Sequence, residues 1–267
     1  MNSTFLKWAG GKNWFVKHQS HRLPANYQRY IDPFVGGGSL YFFLEPTQAI
    51  INDVNGELVT TYRAIQQDWQ RVENKLREHS RRHSNDYYYR VRDMRPRQAY
   101  SVAARMIYLN RTCFNGIYRV NRNGKFNVPI GSPHPVITNS DCFRERSRIL
   151  QGTVICQGDF EPIINQAVAG DFLFCDPPYA VLEESRFVSY TRNEFNWNDQ
   201  IRLRDALVRA QARNVQIIMT NVNHPAVRAL YEGLNGFTLD EVSRYSSISG
   251  TAEGRQQYSE LIVSANI

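Results

Sequence analysis

The sequence predicts an α/β fold: a mostly parallel sheet covered on both faces by helices and interrupted by a helical insertion. Three observations predict it. Short apolar runs recur in "RYIDPF", "TQAIINDV", "TVICQ", "DFLFCD" and "VQIIMTN", and read as buried strands. Helical stretches fall between most of them, the alternation that builds parallel sheets. A charged, aromatic and helix-rich region from about Gly56 to Leu150 breaks that rhythm after the second strand.

The elements follow in order. "FLKWAGGK" is a loop and "NWFVKHQSHRL" a helix. "RYIDPF" is a strand, "VGGGS" a glycine turn, and a helix runs through "LYFFLE". "TQAIINDV" is the second strand, and "LVTTYRAIQQDWQRVENKLREHS" the longest helix candidate. The rhythm returns with the strand "TVICQ", the short helix "PIINQAV" and the strand "DFLFCD". Pro177 and Pro178 end that strand because neither has an N–H for a ladder. "WNDQIRLRDALVRAQAR" is an amphipathic helix capped by Asn196 or Asn198. "VQIIMTN" is a buried strand, and "FTLDEVSRYSSI" and "QYSELIVSAN" are two closing strands that suit a hairpin.

With 267 residues, the chain fits one large domain or one domain plus an insertion. Its net charge of +7 favours an anionic partner, nucleic acid first. The four cysteines form no C-x-x-C pair and lie beside no histidines at zinc spacing, so a metal site is not expected. No apolar segment approaches the roughly 20 residues of a membrane helix, and the start carries no secretory pattern. A soluble intracellular protein is expected.

Four stretches carry candidate chemistry. In "LFCDPPYA", Asp176, the Pro177 carbonyl and Tyr179 stand on a rigid turn at the carboxyl end of a strand, where open α/β sheets bind ligands. The plainer reading is a strand-ending turn with a solvated aspartate. In "DPFVGGGS", Gly36, Gly37 and Gly38 allow close approach of backbone to ligand, and Asp53 follows at a spacing suited to ribose hydroxyls. The pattern is not G-x-G-x-x-G, so a nucleoside-type ligand fits better than a dinucleotide. Tight packing with a turn-capping Asp53 is the alternative. "KWAGGK" adds Trp8, Gly10, Gly11 and Lys12, suited to a carboxylate or phosphate, without phosphate-loop spacing. "RTCFNGIYRVNRNGKF" mixes Arg111, Arg119, Arg122 and Lys125 with Phe114, Tyr118 and Phe126. Such a set binds phosphates or guanine edges and fills the gap left by an extruded base, or else is a solvated basic hairpin with core aromatics.

The stretches "FLKWAGGK", "DPFVGGGS", "NDVN", "YLNRTCFNGIYRVNRNGKFNVPIG" and "DPPY", in that order, resemble the Dam-type adenine-N6 DNA methyltransferases of the D12 class, alpha motif order. The resemblance spans nearly the whole chain. It implies a Rossmann-like methyltransferase sheet that uses S-adenosylmethionine and releases S-adenosylhomocysteine. The catalytic domain would comprise residues 1–55 and 151–267, and a helical target-recognition insertion with a basic hairpin residues 56–150. The cofactor would lie against Trp8, Gly10, Lys12, Phe34, Gly36, Gly38 and Asp176, with Asp53 at the ribose and Asp159 and Phe160 near the adenine. Asp176 and the Pro177 carbonyl would accept both hydrogens of the exocyclic amine, and Tyr179 would stack on the flipped base. No metal is required.

For double-stranded DNA, the resemblance implies Phe114 as wedge, Asn115 at the disturbed pair, Arg119 reading a guanine, Lys7 a second base reader, and Pro129 beside a thymine. Together these imply GATC as target. Methylation of RNA adenine or cytosine N4, and a non-catalytic DNA-binding protein that kept the fold, are the alternatives. No membrane partner is expected, a monomer is allowed, and a bacterial or phage-type protein of the cytoplasm fits.

Overall fold

The computed structural model describes residues 4–121, 124–132, 134–138, 141–179, 195–245 and 257–267. Its strands are β1 (Tyr30–Asp32), β2 (Ala49–Asp53), β3 (Thr153–Gln157), β4 (Phe172–Cys175), β5 (Gln216–Val222), β6 (Phe237–Tyr245) and β7 (Gln257–Ala265). They form a seven-stranded sheet in the order β3-β2-β1-β4-β5-β7-β6. The chain divides into two compact units: Met1–Lys17 with Val35–Gly158, and His18–Phe34 with Asp159–Ile267.

In the second unit, β1 and β5 both pair parallel with β4, and β7 runs antiparallel between β5 and β6. All four residues of β4 are buried, which is why this strand reads as an unbroken apolar run. Two helices complete the rhythm here, α7 (Phe160–Asn165) and α8 (Trp197–Ala212); a short α9 (Pro225–Ala229) follows β5. α8 starts at a capping box: the Asn196 side chain accepts from the Asn198 and Asp199 N–H groups, and Asp199 reaches back to the Asn196 N–H. Its Leu203, Ala206, Leu207 and Ala210, at helical spacing, face the core. The two closing strands do form an antiparallel pair, in register from Phe237↔Ala265 to Tyr245↔Gln257.

In the first unit, β2 and β3 pair parallel. Its helices are α1 (Asn13–His18), α2 (Ser39–Leu44), α3 (Gly56–Arg81), α4 (Asn85–Asp93), α5 (Ala99–Thr112) and α6 (Phe143–Leu150). α3 opens on Asn55, whose side chain accepts from the Glu57 and Leu58 N–H groups, and is kinked at Asp68. It packs along α5, where the Thr61 hydroxyl donates to Met106 Sδ at 3.2 Å, and Tyr62, Ile65, Ala103 and Ile107 of the two helices are buried. Between α5 and α6 the chain is a hairpin, closed by antiparallel bridges Cys113↔Ile130 and Val120↔Phe126. Among the described residues, no helix is long and apolar enough to cross a membrane.

A polar aromatic cluster supports that hairpin. His79 Nδ1 and the Tyr87 hydroxyl lie 2.8 Å apart, as do His83 Nδ1 and the Tyr108 hydroxyl. Beside them the Tyr88 hydroxyl donates to the Val128 carbonyl of the hairpin at 2.9 Å. Burial, helped by the cations of Lys75, Arg82 and Arg105 and opposed by Glu78, lowers the His79 pKa to about 4. An unfolded histidine titrates near 6.5, so on acidification the unfolded chain takes this proton first. Stability is therefore full above pH ~6.5 and falls by on the order of 3 kcal/mol as pH drops to about 4. Denaturant melts of His79→Gln and wild type across that interval check this; equal pH slopes would remove His79 as the cause.

Candidate functional site

The glycine turn between β1 and α2 is shaped by its neighbours in the first unit. Gly36 and Gly38 sit at φ +48° and +70°, the left-handed region that glycine adopts without strain. A Cβ on Gly36 would lie 2.8 Å from Trp8 Cδ1, and one on Gly37 2.8 Å from Trp8 Cβ. The turn thus lies directly against Trp8, and side chains there are excluded by contact as well as by torsion.

Asp53, at the end of β2, is tied to the turn. Its Oδ2 accepts the Gly36 N–H at 3.1 Å and its Oδ1 the Asn55 N–H at 2.9 Å. The Tyr62 hydroxyl donates to the Gly36 carbonyl at 2.8 Å, fixing the turn from below. Burial pushes the Asp53 carboxyl up from the ordinary range, and the backbone donors of Asn55, Gly36 and Val54 hold it partly down. The result is a half-buried carboxylate aimed by backbone, with acceptor capacity left on both oxygens. Gly10 and Lys12 behave differently from a free anion site: Lys12 is buried and its ammonium donates to the Gly10 carbonyl at 3.0 Å.

The basic hairpin lies in the same unit. Asn110 joins two distant segments: it accepts the Lys7 N–H at 2.8 Å and donates to the Lys7 carbonyl at 2.7 Å and the Gly116 carbonyl at 3.1 Å. This brings the exposed Lys7, Phe114 and Asn115 together, although 103 residues separate Lys7 from Asn110. The Phe114 N–H donates to the Pro129 carbonyl at 2.9 Å, and Asn115 holds a left-handed φ of +55°. Phe114 is 53% exposed, and Ile117 and Val120 of the same hairpin are exposed as well. Arg119 is exposed, and its Nε donates to Asn127 Oδ1 across the hairpin at 3.0 Å. Lys125 and Pro129 are exposed, and Arg122 lies outside the described residues.

Arg111 is a correction. It is buried, with Nη1 on Asp141 Oδ2 at 2.8 Å and the Val136 carbonyl at 2.7 Å, and Nη2 on the Phe5 carbonyl at 3.0 Å. A guanidinium so enclosed cannot reach a phosphate; its fork holds three segments of the fold. Exposed cations that the sequence reading passed over are Arg90, Arg95 and Arg97, around the end of α4.

The other candidates belong to the second unit. Phe34, Phe160 and Phe195 form a ring cluster with centroid separations of 5.2 Å for Phe34–Phe160 and 5.8 Å for both contacts of Phe195. Asp159 caps α7 by accepting the Glu161 N–H at 2.9 Å. Arg202 lies over the Phe160 ring and pairs with Asp159, Glu161 and Asp199 at 2.8–2.9 Å. Phe195 and Arg202 were missed by sequence reading; the only local signal is an aromatic just before the α8 cap.

Asp176 follows β4. Parallel pairing sets Cys175 against Met219, so the next residue of each strand, Asp176 and Thr220, stand side by side. The Thr220 hydroxyl, fully buried, donates to Asp176 Oδ1 at 3.0 Å. Pro177 is buried, whereas Pro178 and Tyr179 are exposed. A carboxylate that accepts from Thr220, a proline carbonyl and an exposed aromatic side chain therefore follow one another along the chain. The carboxylate and the carbonyl can accept hydrogen bonds from a planar amine, and the aromatic side chain can stack on its ring.

Comparison with known proteins bears on both units. Residues 8–248 match the family described as D12 class N6 adenine-specific DNA methyltransferase. The chain is 36% identical over 269 residues to the Type II methyltransferase M1.LlaDCHI of Lactococcus lactis subsp. cremoris, covering 97% of this chain and 94% of that one. It is 36% identical over 258 residues to the Type II methyltransferase M.MjaIII of Methanocaldococcus jannaschii, covering 86% and 88%. It is 30% identical over 270 residues to the DNA adenine methylase of Vibrio cholerae, covering 97% and 94%.

Proposed function

The chain belongs to the D12 class of N6 adenine-specific DNA methyltransferases, and from that premise we propose that it uses S-adenosylmethionine to methylate a flipped-out adenine within GATC in double-stranded DNA. The observation that carries the proposal is Asp176, oriented by Thr220 at the head of the Pro177–Pro178–Tyr179 stretch.

The residues fit the cofactor's parts. Asp53 presents a backbone-aimed carboxylate to ribose hydroxyls, and the glycine turn to which it is tied packs on Trp8, the aromatic proposed beside the cofactor. Phe34 and Phe160, packed together at 5.2 Å, are the proposed neighbours of the adenine moiety, with Asp159 as a polar neighbour. Trp8 and Gly10 complete the proposed cofactor residues; Lys12 contributes by shaping its loop. When bound, S-adenosylmethionine supplies an electrophilic methyl group.

The chain's own groups prepare the nucleophile. The exocyclic nitrogen of adenine is weak because its lone pair is delocalised into the ring. Asp176 and the Pro177 carbonyl accept its two hydrogens, favouring a pyramidal nitrogen whose lone pair is localised. Tyr179 stacks on the base and excludes water from one face. Positioning and electrostatics then account for catalysis. An amine inside a duplex is out of reach, so the adenine is extruded and Phe114, projecting from the hairpin, fills the gap. Lys7, Asn115 and Pro129 read base edges beside it, and Lys125 and Arg122 neutralise phosphates. Residues 56–150 form the recognition insertion on this reading, and a DNA substrate favours an intracellular, cytoplasmic protein of bacterial or phage type.

Purified protein incubated with duplex DNA, RNA and S-adenosylmethionine tests this directly. Nucleoside analysis is expected to find N6-methyladenine in DNA alone, and modification-sensitive sequencing to find it in GATC. N4-methylcytosine or methylated RNA would refute the chemistry, and another motif would refute the target.

Arg119 gives the target a finer test. A guanidinium donates two parallel hydrogen bonds to guanine O6 and N7, worth about 1–3 kcal/mol of discrimination. Arg119→Ala is expected to relax one outer G·C pair of GATC, seen as a 5- to 150-fold (order-of-magnitude) narrowing of selectivity there. If activity drops by one common factor on every duplex with a substituted outer pair, Arg119 is a phosphate contact instead.

A further inference from the structure

Tyr118 occupies a place that neither half of the reaction accounts for. It precedes Arg119 on the hairpin, yet its side chain turns toward the glycine turn and the start of α3. Its ring stacks on Trp8, with centroids 5.5 Å apart and planes at 24°, and packs against Phe126 at 5.7 Å. Its hydroxyl donates to Glu57 Oε2 at 3.1 Å. Burial and the adjacent Glu57 carboxylate push the phenol pKa up, so the hydroxyl keeps its proton.

Two short routes of direct contact join Asp53 to this one side chain. Along the first, Asp53 accepts from Gly36, Gly36 abuts Trp8, and Trp8 stacks on Tyr118. Along the second, Asp53 accepts the Asn55 N–H, Asn55 caps α3 at the Glu57 N–H, and Glu57 accepts from Tyr118. Glu57 is itself fixed by Arg105, a buried guanidinium whose Nη1 lies 3.1 Å from Oε1. All these residues belong to the first unit. From Tyr118 the chain continues to Arg119, whose orientation Asn127 sets.

We propose that Tyr118 is a positioning residue that couples occupancy of the Asp53 turn to the base-reading geometry of Arg119. Cofactor binding orders the turn, the Trp8 ring and Glu57, and through them the root of the hairpin. By linkage, DNA bound in register tightens the cofactor by the same factor that cofactor tightens DNA. The proposal rests on the assignment of Asp53 to the cofactor and of Arg119 to a guanine.

The experiment measures the dissociation constant of S-adenosylhomocysteine by calorimetry with and without the duplex that the wild-type protein methylates. Wild type, Tyr118→Phe and Tyr118→Leu are compared. The wild-type ratio is expected to be about 5-fold or more, the usual lower bound of site-to-site coupling. Tyr118→Leu, which loses both stack and hydrogen bond, is expected to bring the ratio close to one and to cut discrimination against a duplex with one outer pair replaced. Tyr118→Phe, which keeps the stack, is expected to fall between. A folded Tyr118→Leu with the wild-type ratio overturns the proposal. If Tyr118→Leu does not fold, Tyr118→Phe decides: an unchanged ratio overturns it and a reduced one supports it. A wild-type ratio of one with normal adenine methylation sinks this coupling alone, whereas no adenine methylation sinks the functional reading.

Discussion

Replacing Asp176 with alanine is expected to lower the single-turnover rate of methyl transfer by about 10²–10³-fold, the usual loss for one preorganised polar group at a reacting centre. The acceptor is preorganised because two strands place it. β4 ends at Cys175 and cannot continue through Pro177, and the parallel register with β5 sets Thr220 beside Asp176. Thr220 donates to Asp176 Oδ1 and so fixes the orientation of the carboxylate. Alanine also removes the acceptor of a fully buried hydroxyl, at a cost of about 1–3 kcal/mol of stability. Asp176→Asn separates the two effects. Its amide oxygen still accepts from Thr220, so stability is kept, while the negative charge facing the amine is gone. Both variants are expected to be slow, and only the alanine variant less stable. Near-normal turnover in either folded variant would remove Asp176 from the chemistry.

What the sequence disclosed, and what it hid, follows the range of each interaction. β4 was legible because a strand covered on both faces is apolar throughout, and because proline ends a ladder wherever it stands. The α8 cap was legible because Asn196 and Asp199 lie within one turn. The start of α7 lies at Phe160, two residues ahead of the expected boundary at Pro162, because Asp159 caps it. Thr220 had no signature: a threonine in an apolar strand becomes the partner of Asp176 only when the strands take a particular register. The Trp8–Tyr118–Glu57 contact is hidden for the same reason, since it joins three segments far apart in sequence. Composition misled most at Arg111. A run rich in arginine and aromatics reads as a binding surface, but burial separates its members, leaving Arg119 outside and Arg111 within.

The fate of Arg111 yields the other large expected effect. Arg111 and Asp141 are each buried and 2.8 Å apart, and the same guanidinium satisfies the carbonyls of Val136 and Phe5. Arg111→Ala strands the Asp141 carboxylate without this cation and is expected to cost about 3–5 kcal/mol of folding stability, the usual penalty for breaking a buried pair. Asp141 would keep its Thr138 contacts, so the loss reflects the missing charge and fork rather than a bare carboxylate. Arg111→Lys is not expected to rescue, because a single ammonium cannot span the carboxylate and both carbonyls. Denaturant midpoints check this, with DNA affinity measured against salt as the second readout. An arginine that merely touched phosphate would leave stability within about 0.5 kcal/mol and lower the salt slope by about 0.9. The buried arrangement predicts the reverse: a large stability loss and an unchanged slope for whatever fraction stays folded. Lys125→Ala, at an exposed position, is the matching control, since there the slope is expected to fall while stability holds. If Arg111→Ala behaved like Lys125→Ala, the guanidinium would have to leave its three partners when DNA binds.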